Sequence, residues 1–269
     1  MMMLLFQNSN SFLKKRIRRA IEIIKDEGVK VFFKKSLIYG LKKSGLILPY
    51  ALLKIKLINQ KNNLNLNEYV NFAFNDLSGL IKPIQIYNEI LELLEIIQKI
   101  KPKTVLEIGT ANGGTLFLFS RVASEDATII SIDLPGGKFG GGYPQWKRLL
   151  YKSFALPKQK IYLLRMDSHE NETLEQVKAI LKGRRLDFLF IDGDHTYEGV
   201  KKDFEMYSKL VERGSVIALH DIAPGSIECV GEVPKFWKEI KDQYDNREIV
   251  EDWAQGGYGI GVLFFCEYF

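Results

Sequence analysis

The sequence predicts an α/β fold, a doubly wound and mostly parallel sheet with helices on both faces. Two observations carry that prediction. Five short runs, at 104–108, 128–132, 160–166, 186–191 and 215–219, are β-rich and apolar almost throughout, as strands covered on both faces must be. Between them, segments 115–123, 146–154, 171–181 and 197–211 place apolar residues at helical spacing, and strands that alternate with helices form parallel sheets through right-handed crossovers. A further helical face, Ile84, Tyr87, Ile90, Leu91, Leu94 and Ile97, opens after Pro83, a residue suited to a first turn. At the other end a helical pattern over 233–244 leads into two more β-rich runs, 247–250 and 258–265, joined by a Gly-rich link as a hairpin.

The composition is that of a globular protein: 269 residues, 46% apolar and 26% charged. No uncharged apolar run approaches the roughly 18 to 20 residues a spanning helix needs, and the start lacks a basic region followed by a cleavable apolar stretch, so the expected location is the cytoplasm. Two cysteines, Cys229 and Cys266, exclude a disulfide framework and a Cys-based zinc site. The net charge of +5 is uneven: residues 1–60 hold 13 Lys or Arg against 3 acids, and residues 61–269 hold 25 against 30.

That asymmetry divides the chain into a basic helical N-terminal segment over 1–60, a connector over 61–82 and a catalytic domain over 83–269. In 13–25, Leu13, Ile17, Ala20, Ile21 and Ile24 fall at helical spacing among Lys14, Lys15, Arg16, Arg18 and Arg19, which reads as a basic amphipathic helix. Such a helix either lies on an anionic membrane surface, at the inner face of the membrane and suited to a lipid-linked glycan, or packs on the catalytic domain or a second subunit of a homo-oligomer. Nucleic acid is not an expected partner, because the basic residues carry no recognition motif and the remainder is net acidic. The Asn-rich stretch 62–75, with Tyr69, Phe72 and Phe74 interspersed, is expected to be irregular and to serve as a lid.

In a doubly wound sheet, ligands bind outside the carboxyl ends of the strands. Here those ends fall at or beside Glu107, Asp133, Asp167, Asp192 and Asp221, one carboxylate per predicted parallel strand. The first strand runs into Glu107, Gly109, Thr110, Ala111, Gly113 and Gly114 and then a helix, a turn that lets a nucleotide-like ligand approach backbone amides. Its spacing departs from the dinucleotide G-x-G-x-x-G, and Glu107 would repel a pyrophosphate. A ligand without phosphate fits better. S-adenosylmethionine carries cationic sulfonium and ammonium groups, Asp133 is placed to accept its ribose hydroxyls, and Asp167 or Ser168 its adenine amino group.

The motifs around Val105–Gly114, Ile130–Asp133, Phe190–His195 and Leu219–Asp221 resemble those of the class I S-adenosylmethionine-dependent methyltransferases, over roughly residues 83–269. Within that class the chain is most similar to the metal-dependent O-methyltransferase branch, which includes catechol and macrolide-sugar methyltransferases and the cephalosporin hydroxylase-like proteins. The resemblance implies a Rossmann-like sheet of seven strands with the last antiparallel. It also implies that Asp192 and Asp221 bind a divalent cation, Mg²⁺ or Mn²⁺, and that His195 is the general base. Ala111 stands where the usual cofactor loop has its middle glycine. His220 stands where sugar-methylating relatives have a second carboxylate, and is expected as a further metal ligand favouring softer metals. Carboxylates at the ends of neighbouring strands about 4.8 Å apart are close enough to share one hard cation.

The expected reaction is methyl transfer from S-adenosylmethionine to a hydroxyl of a small molecule or glycan sugar. The rivals are a catalytically idle cofactor-binding scaffold and a nicotinamide-dependent oxidoreductase, the latter disfavoured by the missing glycine fingerprint. Two Gly-rich stretches, 135–144 and 252–258, carry aromatics and are read as lids over the acceptor.

Overall fold

In a computed structural model of the chain, Arg18 and residues 29–61, 64–77, 79–137 and 141–265 are described. They fall into two compact units, Met1–Ala51 and Leu52–Phe269. Apart from Arg18, the basic helix expected over 13–25 lies outside the described residues, as do residues 138–140 of the first Gly-rich stretch and Cys266. The first unit contains α1 (Val29–Lys43) and, after a turn with Gly45 at φ +73°, the start of α2 (Ile47–Asn59). On α1, Val29, Phe33 and Leu37 are exposed at successive i, i+4 positions. Among the described residues no helix is long and apolar enough to cross a membrane.

The second unit is built on one seven-stranded sheet. Its strands are β1 (Thr104–Ile108), β2 (Thr128–Ile132), β3 (Lys160–Leu164), β4 (Leu186–Ile191), β5 (Val211–His220), β6 (Asp245–Ile249) and β7 (Ile260–Phe265), in the order β3-β2-β1-β4-β5-β7-β6. The first five run parallel, and β7 pairs antiparallel with both β5 and β6, as the hairpin pattern predicted. Every residue of β1 and β2 is buried, which is why those runs lack polar alternation. The covering helices are α3 (Leu66–Asn71), α4 (Tyr87–Ile100), α5 (Gly114–Val122), α6 (Lys147–Lys152), α7 (Asn171–Leu181), α8 (Tyr197–Tyr207) and α9 (Val233–Ile240). The strand order reverses beside β1, so the turns after β1 and β4 open a crevice between them.

Three boundaries differ from the sequence reading, each for a local reason. The connector is not irregular: Asn65 accepts from the Glu68 N–H while Glu68 reaches back to the Asn65 N–H, a capping box that starts α3. A π-turn over Phe72–Asp76 follows, and Tyr69 and Phe72 pack their rings on Phe117 of α5. The helix expected after Pro83 starts at Tyr87, because Ile86 is extended at φ −75°, ψ 141°, and Ile84 is left exposed. The helix over 197–211 stops at Tyr207, and Val211 already pairs with Leu186; the register then shifts, with Gly214 at φ +82°, before Phe188 meets Val216.

In the middle of β1, Glu107 is fully buried. Its carboxyl group is hydrogen-bonded to the Thr115 and Ser131 hydroxyls, and Thr110 bonds Ser131 in turn. Burial pushes its pKa up to about 8, against the opposing pull of the two hydroxyls. The folded chain therefore holds a proton that an unfolded chain releases above about pH 4.5. Stability falls as pH rises from there to about 8, because the unfolded state binds fewer protons in that window. Thermal melts of the unaltered chain and Glu107→Gln across pH 5 to 8 check this: the variant gains on the unaltered chain as pH rises.

Candidate active site

The carboxyl ends of β1 to β5 surround a cavity of about 520 Å³. At one end lie Gly109, Ala111, Asp133, Asp167 and Ser168; at the other lie Asp192, His195, His220 and Asp221. Of the remaining residues expected to hold the cofactor, Glu107, Thr110 and Gly113 do not line the cavity. Glu107 and Thr110 are buried beneath it, and Gly113 starts α5 at φ +81°, against the Tyr151 ring. A neutral Glu107 also weakens the repulsion of a pyrophosphate expected from its charge.

The glycine turn is close-packed against the loop after β4. Gly109 has φ +97°, and a Cβ there would lie 1.9 Å from the Asp192 carbonyl oxygen, so no side chain fits. Ala111 is left-handed at φ +41°, a conformation glycine would adopt more easily. Its N–H donates to Asp133 Oδ2 at 2.8 Å, while the Gly142 N–H donates to Oδ1 at 2.6 Å. Asp133 thus ties the first glycine turn to the loop after β2, and burial lifts its pKa despite those two donors.

At the end of β3, Asp167 Oδ1 accepts from the His169 N–H at 2.9 Å and the Asp167 carbonyl accepts from the Thr173 hydroxyl, which fixes this corner. His169, absent from the sequence prediction, also lines the cavity. Its Nε2 lies 3.1 Å from the Gly199 carbonyl and 3.4 Å from Oδ1 of the fully buried Asp203, and the nearby Asp203 carboxylate raises its pKa. The Asp-Ser-His order after a strand was the available signal.

The other end concentrates charge. Asp192, His195 and Asp221 offer ligand atoms within 4.8 Å of one another, a donor set of two carboxylates and an imidazole that suits a divalent cation. His195 Nδ1 is 2.8 Å from the Cys229 carbonyl, and the His195 carbonyl accepts from the Glu232 N–H, so the 229–232 segment orients the ring. Thr196, rather than His195, caps α8 by accepting from the Gly199 N–H. Burial opposes charge on His195, but the carboxylates of Asp192, 3.6 Å from Nε2, and Asp221, 3.4 Å from Nδ1, outweigh it and raise its pKa. His220 lies behind the trio, with Nδ1 3.0 Å from Asp192 Oδ1 and 3.3 Å from Asp221 Oδ2. Burial disfavours its charged form, yet the two carboxylates hold its pKa well above the usual imidazole value. Asp192 is held low in return: burial would raise its pKa, and the two imidazoles bring it below the carboxylate range.

Two residues reach this cluster from outside the predicted rim. Gln85, 6% exposed, donates from Nε2 to Asp192 Oδ2 at 2.8 Å. The Tyr258 N–H donates to Asp221 Oδ1 at 3.1 Å, and both residues are left-handed at φ +62°. Strained non-glycine backbone of this kind persists where the surroundings over-determine it, as at binding sites. The 252–258 stretch, read as a lid, is tied down: buried Glu89 accepts from the Glu251 and Gly259 N–H groups and from Gln255 Nε2.

Residues 106–222 match the model of a family described as a methyltransferase domain. An uncharacterized protein of Acanthamoeba polyphaga mimivirus, R132, is 30% identical over 118 residues, 44% of this chain; the match spans about half the relative's length, 51%. The fold is shared with the O-methyltransferase TomG from Streptomyces achromogenes, solved with its cofactor SAM (14% identity, TM-score 0.52, covering 77% of this chain and 92% of that one). It is also shared with an O-methyltransferase from Bacillus cereus bound to SAH (17%, 0.52, 76% and 93%) and a putative caffeoyl-CoA O-methyltransferase from Staphylococcus aureus (18%, 0.52, 78% and 99%). Residues 106–222 thus match a methyltransferase-domain model, and the chain shares the fold of solved O-methyltransferases.

Proposed function

We propose that the chain transfers a methyl group from S-adenosylmethionine to a hydroxyl oxygen of a small molecule or glycan sugar, aided by a divalent cation. The observation that carries this reading is the single cavity that joins the Gly109 turn and Asp133 to the cluster of Asp192, His195 and Asp221. TomG and the Bacillus cereus enzyme, which share the fold, are O-methyltransferases by name.

In this reading Asp133, Asp167 and Ser168 orient the nucleoside, and the glycine turn admits it close to backbone. Asp192 and Asp221 hold the cation. When bound, the cofactor supplies an electrophilic methyl group, and the cation supplies charge that favours an ionised hydroxyl. The chain's own work is to fix the acceptor oxygen in line with the methyl group, a positioning task, and to take its proton. With the Nδ1–H of His195 donated to the Cys229 carbonyl, Nε2 is the basic nitrogen of the neutral ring and receives that proton.

The basic N-terminal segment is the candidate membrane contact. The exposed Val29, Phe33 and Leu37 stripe in a region of 13 basic residues against 3 acids supports docking on an anionic surface, where each nearby basic residue contributes on the order of 1 kcal/mol.

Calorimetric titration checks the cofactor. S-adenosylmethionine and S-adenosylhomocysteine bind, NAD does not, and Mn²⁺ binds in the absence of EDTA; failure of both sulfur ligands to bind the folded protein sinks the assignment. His195→Ala separates base from ligand: the variant keeps Mn²⁺ affinity while turnover falls about 10²- to 10⁴-fold, whereas lost Mn²⁺ affinity makes His195 a ligand. In flotation, the full chain rises with anionic vesicles at low salt and stays down with neutral ones; equal behaviour removes the membrane contact.

A further inference from the structure

The most informative residue outside the strand rim is Gln85. It lies in the non-helical stretch before α4, with Ile86 extended, and its nearly buried side chain reaches across to the loop after β4. Its Nε2 donates to Asp192 Oδ2 at 2.8 Å, while Asp192 Oδ1 faces His220 Nδ1 at 3.0 Å. Both carboxylate oxygens are thus held from outside the strand that bears them, which fixes the carboxylate plane. The Gln85 amide is only half used, because Oε1 is buried with no partner. A buried amide oxygen left without a donor is costly, and the side chain is held there by the bond from Nε2. His220 Nε2, on the other side of Asp192, is buried without a partner in the same way.

One turn further on, Glu89 collects the Glu251 and Gly259 N–H groups and Gln255 Nε2. Through Gly259 it fixes the neighbouring Tyr258, whose N–H donates to Asp221 Oδ1. A five-residue stretch, 85–89, therefore anchors Asp192 directly and Asp221 at one remove.

We propose that Gln85 is a positioning residue of the cation site: its Nε2 sets the orientation of Asp192. This rests on the reading that Asp192 and Asp221 hold a divalent cation. Outer groups that orient ligating carboxylates typically change metal affinity by about 10- to 100-fold when removed.

The test is calorimetric titration of Mn²⁺ and, separately, S-adenosylhomocysteine into the full chain and two variants. Gln85→Met keeps the length of the side chain and removes both hydrogen-bonding atoms; its Mn²⁺ affinity drops about 10- to 100-fold, with S-adenosylhomocysteine affinity unchanged. Gln85→Asn keeps the amide one methylene short and falls between. If Gln85→Met binds Mn²⁺ as tightly as the unaltered chain, the proposal is overturned while the cation reading stands. If it loses both ligands together, Gln85 serves folding and the proposal is overturned. If the unaltered chain binds S-adenosylhomocysteine but no Mn²⁺, the cation reading and the proposal fall together.

Discussion

Parallel pairing of β1 with both β2 and β4, and of β4 with β5, is the constraint on which everything else depends. Parallel strands need a crossover each time, and the crossovers return every strand to the same starting edge, so all five strands deliver their last residues to one rim. Glu107, Asp133, Asp167, Asp192 and Asp221 are far apart in the chain and close in space for that reason alone. Four of the five line one cavity; Glu107 points into the sheet's packing instead, because it lies inside β1 rather than beyond its end.

The rim is expensive to build from acids, and the structure shows how the repulsion is contained. Glu107 is neutral through burial. The charge of Asp133 is offset in part by two backbone N–H donors. Asp192 and Asp221 share His195 and His220, whose raised pKa values are the complement of the lowered one on Asp192. The solutions differ from acid to acid, and at the last pair a cation would replace part of the imidazoles' work.

Much of this was legible in the sequence. Continuous apolar runs such as Thr128–Ile132 announce buried parallel strands, and the acids at their ends announce the rim, because both signals are local. The antiparallel hairpin was legible for the same reason. Most of what escaped is nonlocal. Gln85 sits 107 positions from Asp192, and helical spacing after Pro83 pointed to a first turn where the chain is extended. Glu89 reads as an ordinary helix residue, yet it binds a loop more than 160 positions away. The capping box at Asn65 and Glu68 is a local exception: its spacing is present in the sequence within an Asn-rich stretch that reads as irregular.

The close approach at Gly109 has a mechanical consequence. The glycine turn after β1 rests on the peptide of Asp192, whose own N–H is bonded to the Ile108 carbonyl, so the two loops touch through backbone with no side chain between them. Side chains yield by changing rotamer, whereas packed peptide groups do not. The Gly109 turn and the carboxylate-bearing loop therefore meet backbone to backbone, and neither can be displaced alone without breaking that packing.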